Sequence, residues 1–288
     1  MNQCCKISFA LGMLVVSGAI RAQSSASADE ASTRLDVVGV KLGMTPDEAR
    51  GVLRSRKYPM HEFVSTLSYV DAATKQSVRL PNSAFVNALV QSGSFAKHDE
   101  SDNLTVFFSP SPGRERVVAI AHYNSYSKGK EIRESDMKAR LAEQYGELPE
   151  SLSRPKTGFQ FSHLWNLPVS EDKAGRNCNF NLTQRFAKAG WWNTNSAAPQ
   201  NYALTNWDLL LSLIRNDCGP SIVEVNWSVK DPNVPPERRL VTEYAVSIVS
   251  LPVADEGLMA ASQLAQELKD LAGRSLAHRA SGDSDPDL

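Results

Sequence analysis

The period of apolar and polar positions changes several times along this chain, and each change marks an element. DVVGVKLG, from Asp36, is a short apolar run. The strongest local signal follows it, Met44-Thr45-Pro46-Asp47-Glu48-Ala49. Thr45 suits an N-cap, and Pro46 suits the first helical position, where its absent N–H costs nothing. Glu48 is placed to close a capping box with Thr45. The pattern predicts a helix from Pro46 to about Arg56, with Ala49, Val52 and Leu53 facing inward. Met60 to Val70 reads as a strand. Asn82 or Ser83 is placed to cap a short helix carrying Phe85, Leu89 and Val90. Leu104 to Ser109 and Arg116 to Tyr126 read as paired strands, with Pro110 to Gly113 as the turn between them. Ser135 then caps a helix with Met137, Leu141 and Tyr145 on one face, and Gly146 is its expected stop.

The second half reads mainly as strands: Phe159 to Leu167, Asn179 to Phe186, Trp207 to Ile214, Ile222 to Val229 and Leu240 to Leu251. In the fourth, Ile222, Glu224, Asn226 and Ser228 alternate with Val223, Val225, Trp227 and Val229. Asp255 is the expected cap of a last helix with Leu258, Leu264, Leu268 and Leu271 on its apolar face. Helices and strands are mixed without strict alternation. The expected class is therefore α+β, an antiparallel sheet packed against a few helices, with a strand-rich second half holding one disulfide.

Residues 1–22 change the picture by adding a destination. Lys6 charges a short leading region, and Ile7 to Ile20 is an apolar run shorter than the ~20 residues a spanning helix needs. Ala22, with Ala19 as second choice, is the expected cleavage point of an export signal. No other stretch has the length and apolarity of a membrane span. The expected product is periplasmic or secreted. Residues 23–34 are Ser/Ala-rich and read as a disordered lead-in, 35–150 as an N-terminal α+β region, 151–272 as a strand-rich region with a C-terminal helix, and 273–288 as a disordered tail.

The whole chain of 288 residues carries 31 basic and 32 acidic side chains. That balance argues against a nucleic-acid partner, which needs a clustered basic surface. Cleavage would remove Cys4 and Cys5 and leave Cys178 and Cys218. A lone pair in an exported chain is most simply a disulfide, with two free thiols as the alternative. Closing a loop of that length stabilises the chain by roughly 4 kcal/mol in the chain-entropy picture.

Gly39-Val40-Lys41-Leu42-Gly43-Met44-Thr45-Pro46-Asp47-Glu48-Ala49 resembles a Gly-Met-Thr/Ser strand-to-helix motif of exported bacterial proteins. It is similar to the motif in the small outer-membrane assembly lipoproteins and the secreted β-lactamase inhibitor proteins. The resemblance implies a helix pair on an antiparallel sheet and work by protein binding. The stretch Val117 to Pro149 also resembles uncharacterised envelope proteins of Gram-negative bacteria. The motif starts a helix and transfers no functional residue. This chain lacks the lipid-accepting Cys of the lipoproteins and is far longer than they are.

Candidate chemistry is sparse. Ser125-Tyr126-Ser127-Lys128, Ser101-Asp102-Asn103 and Lys156-Thr157-Gly158 match three motifs of penicillin-binding proteins and class A β-lactamases. Their order is wrong, their spacing is short, and Ser125 ends a predicted strand rather than opening a helix. Coincidence is the favoured reading, and no residue is assigned as catalytic. No metal-ligand spacing, cofactor motif or phosphate loop is present. Among His61, His98, His122, His163 and His278, no pair has the spacing of a zinc helix. Asn103, Asn181 and Asn226 open glycosylation sequons that matter only in a eukaryotic secretory path. Trp191 and Trp192 sit together among Asn and Ser, and packing over the core is the commoner fate of such rings. Their functional reading is recognition of an envelope protein or wall polymer, which makes them the candidate binding residues. A non-enzymatic binding module is the expectation. Its rival is an envelope hydrolase acting on peptidoglycan, peptide or glycan with groups drawn from His122, His163, Asp217 and nearby carboxylates.

Overall fold

A computed structural model describes residues 35–56, 58–70, 74, 76–95, 100–147, 160–167, 210, 213–216 and 218–280. A two-residue-strand hairpin, β1 (Asp36–Val37) and β2 (Val40–Lys41), leads into helix α1 (Pro46–Arg54). Four long strands follow: β3 (Met60–Val70), β4 (Ser77–Phe95), β5 (Glu100–Phe108) and β6 (Val117–Ser125). After the short β7 (Ile132–Arg133) come α2 (Glu134–Tyr145), β8 (Gln160–Leu167), β9 (Ser221–Val229), β10 (Leu240–Ser250) and the long α3 (Leu251–Ala280). The sheet order is β3-β4-β5-β6-β10-β9-β8, with β7 beside β10. Every pairing in it is antiparallel. Mixed α+β architecture is thus observed. Because β10 lies between β6 and β9, strands of both sequence halves share one sheet.

Both faces of the sheet are covered. On one, α1 (Ala49, Leu53), α2 (Met137, Leu141, Tyr145) and the hairpin (Val37, Val40) bury Leu89, Leu104, Val106, Ile120, Val225, Trp227 and Ile248. On the other, Leu251, Ala254 and Leu258 of α3 pack with Leu210 and Leu213 on Phe107, Ala119, Ile222 and Val249. Farther along, Ala261 and Ala265 of α3 cover Leu67, Leu80 and Phe85. Double coverage makes β6 almost continuously buried and puts Glu224, on the polar side of the β9 alternation, in the interior at 2% exposure. The alternation in the text is real, but it separates two buried faces rather than core from solvent.

The α1 signal reads as expected. Thr45 accepts from the Glu48 backbone N–H, and the Glu48 carboxylate accepts from the Thr45 N–H, which completes the capping box. Met137, Leu141 and Tyr145 are buried, and Gly146 ends α2 at φ 89°. Other expectations fail. The predicted helix at Phe85–Val90 is part of β4. There Asn82 takes φ 51° and Ser83 donates to the Leu80 carbonyl inside a break in register between Ser68/Arg79 and Thr66/Ala84. These residues serve a bulge, and the short apolar run beyond them fits either structure until it is paired on both sides. Arg133, not Ser135, precedes α2, without a side-chain cap. Helix α3 starts at Leu251, four residues before Asp255, and runs to Ala280, beyond the start of the expected tail. Leu271 on it is exposed. In the predicted strand Trp207–Ile214, Leu210, Leu213 and Ile214 are helical. No described helix is long and apolar enough to cross a membrane.

Candidate functional site

Pairing of β5 with β6 and of β6 with β10 brings Asp102 opposite Asn124, and Asn124 opposite Tyr244. His122 lies one same-face position along β6. The chain leaving α1 places Arg56 over this end of the sheet. Gln91 of β4 holds that turn down by donating its amide to the carbonyls of Leu53 (2.8 Å) and Tyr58 (3.3 Å). Arg56 donates Nη2 to one Asp102 oxygen at 2.6 Å, and His122 Nε2 lies 2.8 Å from the other. The guanidinium sits 5.5 Å from the Tyr58 ring centre. The Tyr244 ring meets His122 edge-on at 5.8 Å and stacks with Tyr126 at 6.0 Å and 25°. Four segments, the turn after α1, β5, β6 with its C-terminal end, and β10, therefore build one contiguous ionic and aromatic cluster.

The side chains of Arg56 and Asp102 are 15% and 18% exposed, and that of His122 is 5% exposed. Burial disfavours an ionised Asp102, yet the hydrogen bonds and charges of His122 and Arg56 outweigh it and hold its carboxyl below the usual range. Burial pushes the Tyr244 hydroxyl up, partly offset by a hydrogen bond with Asn124. Burial, then the neighbouring Tyr244, pushes the Tyr126 hydroxyl above its ordinary value. These phenols stay neutral and act as hydrogen-bonding groups.

The three-motif reading dissolves in this geometry. Successive strand residues face opposite sides, so Ser101 and Ser125 lie on the face away from Asp102 and His122. There the two serine hydroxyls are 2.9 Å apart, and Ser125 Oγ also accepts from the Ser101 N–H. Tyr123, on that same face, has its hydroxyl pushed up to about 12 by burial and by Glu243. Asn103 lies within a strand and is buried, as a sugar acceptor would not be. His61 is exposed, and His163 sits in β8 opposite Val225. Asp217, His98, Asn181, Lys156, Thr157, Gly158, Trp191, Trp192 and Cys178 lie outside the described residues. Cys218 is a fully buried half-cystine. Among the described residues no group of three His, Cys, Asp or Glu side chains is placed to hold a metal.

Sequence reasoning singled out Asp102 and His122 for other reasons and missed Arg56, Tyr58, Tyr126 and Tyr244 as a group. No local signal joins them, because only strand register and the α1 turn do. Comparison with protein-family models, with curated proteins and with solved structures finds no match to this chain.

Proposed function

We propose that this is an exported envelope protein that binds another protein or a wall polymer without converting it. Residues 1–22 support export by their composition. The carrying observation is the cluster from Tyr58 through Arg56, Asp102, His122 and Tyr244 to Tyr126, which is bonded within itself and reaches solvent in part through its three tyrosines. Aromatic and Arg side chains held in place are the usual anchors of recognition surfaces. In this reading Cys218 pairs with Cys178, which the burial and half-cystine state of Cys218 support. The Trp191–Trp192 segment is a second contact region in the same proposal.

The hydrolase reading has one observation in its favour, the Asp102–His122 contact at 2.8 Å. In a hydrolytic dyad the carboxylate orients the imidazole toward a nucleophile or water. Here Arg56 occupies the second carboxylate oxygen, and the nearest serines point to the other face of the sheet. The binding reading fits the geometry better. Crosslinking of a tagged, exported copy in intact cells, followed by quantitative mass spectrometry, tests it. A stoichiometric partner is expected, and an unchanged profile relative to an untagged control would sink the idea. Non-reducing mass analysis of the exported protein should show the Cys178–Cys218 peptide pair.

A further inference from the structure

We propose that a second copy of this chain pairs with the open edge of β3, so that two sheets become one and the end of each α3 roofs its neighbour. This goes beyond the binding reading above and does not use the Arg56 cluster. β3 ends the sheet on one side, and among the described residues no strand pairs with its outer edge. Edge strands are normally guarded by free charge, by proline or by a bulge that turns the edge away. From Met60 to Thr66 β3 has none of these. Glu62 is taken by Arg50 at 2.8 Å, and where the register shifts between Phe63 and Val64 the extra residue, Asn87, sits on β4. Val64 stands 61% exposed on this edge strand.

The length of α3 says what belongs there. The helix starts beside β9 and β10, where the Leu251 N–H donates to the Pro220 carbonyl, and passes Ser109 and Ser111 after β5. It then packs Ala261, Leu264, Ala265 and Leu268 on Leu67 of β3 and on Leu80 and Phe85 of β4. From β10 to β3 is four strand spacings, about 19 Å, and Leu251 to Ala265 rises about 21 Å. The helix has thus reached the last strand near Ala265. Residues 269–280 carry it about 18 Å farther, with no described strand beneath. Leu271 continues the stripe of Leu264 and Leu268, yet it is 58% exposed, so the stripe outlasts the sheet it packs on. A single added strand would extend the sheet by only about 4.8 Å. A second copy adds a whole sheet. Two β3 strands paired antiparallel about a two-fold axis keep both α3 helices on the same side. Each α3 crosses its own β3 near Leu67, and antiparallel pairing sets the N-terminal end of the other β3 beside it. There His61, exposed, and Phe63, partly buried, lie on the α3 side, and Leu271 meets this pair in the second copy.

The test is the mass of the full exported chain by sedimentation equilibrium from about 1 to about 100 μM, which should follow a monomer–dimer equilibrium. Leu271→Glu and Val64→Lys alter exposed side chains, so each should weaken the dimer by about tenfold or more and leave the urea midpoint of the monomer unchanged. His61→Cys combined with Leu271→Cys should give a disulfide between copies on mild oxidation. Within one copy the two sites are too far apart, because α3 crosses β3 near Leu67, about 20 Å along the strand from His61. A chain that stays monomeric throughout, a dimer of undiminished affinity in both single variants, or a double-cysteine protein without the intermolecular bond would each overturn the proposal. A different protein captured in cells by a monomeric chain, and lost with Val64→Lys, would give the edge to that protein and overturn the second copy.

Discussion

Replacing Gly257 with alanine adds one methyl group where α3 crosses the end of β5. A Cβ built at Gly257 would lie 2.3 Å from Ser109 Cβ, 3.2 Å from its Oγ and 3.4 Å from its Cα. Ordinary carbon contacts are about 3.5–4.0 Å, so the elements must part by more than ~1 Å. Ser109 cannot yield easily. Its N–H donates to the Arg116 carbonyl at 2.8 Å, and its Oγ accepts from the Arg116 N–H at 3.0 Å. The helix must lift, which loosens Ala254, Leu258 and Ala261 beneath it and stretches the bond from Ser111 Oγ to the Gly257 carbonyl. Overpacking of this kind costs about 1–3 kcal/mol, with the backbone shift at the upper end, while alanine returns up to about 1 kcal/mol of helix propensity. A net loss of about 1–2 kcal/mol is expected, read as a lower midpoint in urea unfolding. Ser109→Gly in the same chain should recover part of that loss, and the double-mutant cycle should show favourable coupling. A Gly257→Ala protein as stable as the parent would refute the close approach of α3 to β5.

Other consequences are smaller. Asp102 has a lowered folded-state pKa, so its contribution is complete above the unfolded value near ~3.9 and is lost as pH falls through the folded value. Asp102→Asn should therefore cost about 2 kcal/mol at neutral pH and flatten the acid limb of a stability–pH curve, and an unchanged acid limb would contradict the Arg56–Asp102–His122 network. Thr45→Ala removes the α1 capping box and should cost about 1 kcal/mol in the same unfolding assay. Val38 is β-branched, exposed and held at φ 51° beside Gly39 in a two-residue hairpin turn, so Val38→Asn should raise stability by about 1 kcal/mol, and a loss would contradict that turn. Penicillin should not acylate Ser125, which is bonded to Ser101 within the sheet, and a covalent adduct seen by mass spectrometry would reverse that reading.

Local devices were legible in the amino-acid text, and convergent ones were not. The Thr45–Glu48 box, the Met137–Leu141–Tyr145 face and the β5–β6 pair depend on neighbours in sequence, and all three stand. Asn82 and Ser83 have the residue types of a helix cap, but the same side chains suit a bulge, and only pairing with β3 and β5 decides between them. Asp255 likewise has a cap's chemistry, yet α3 begins earlier because Leu251 and Ala254 have a sheet face to cover. The cluster at Arg56 has no signature at all. Its members lie 46 positions apart for Arg56 and Asp102 and 20 for Asp102 and His122, and only strand register and the turn after α1 join them. The same alternation that joins Asp102 to His122 separates both from Ser125.

Capture of the partner in intact cells tests the central claim most directly. A tagged, exported copy, crosslinked and quantified by mass spectrometry against an untagged control, should bring down one stoichiometric protein or wall fragment. The yield should fall for Tyr126→Ala at the aromatic cluster. A profile identical to the control would contradict the binding account, and a partner captured equally well by Tyr126→Ala would move the contact away from this face.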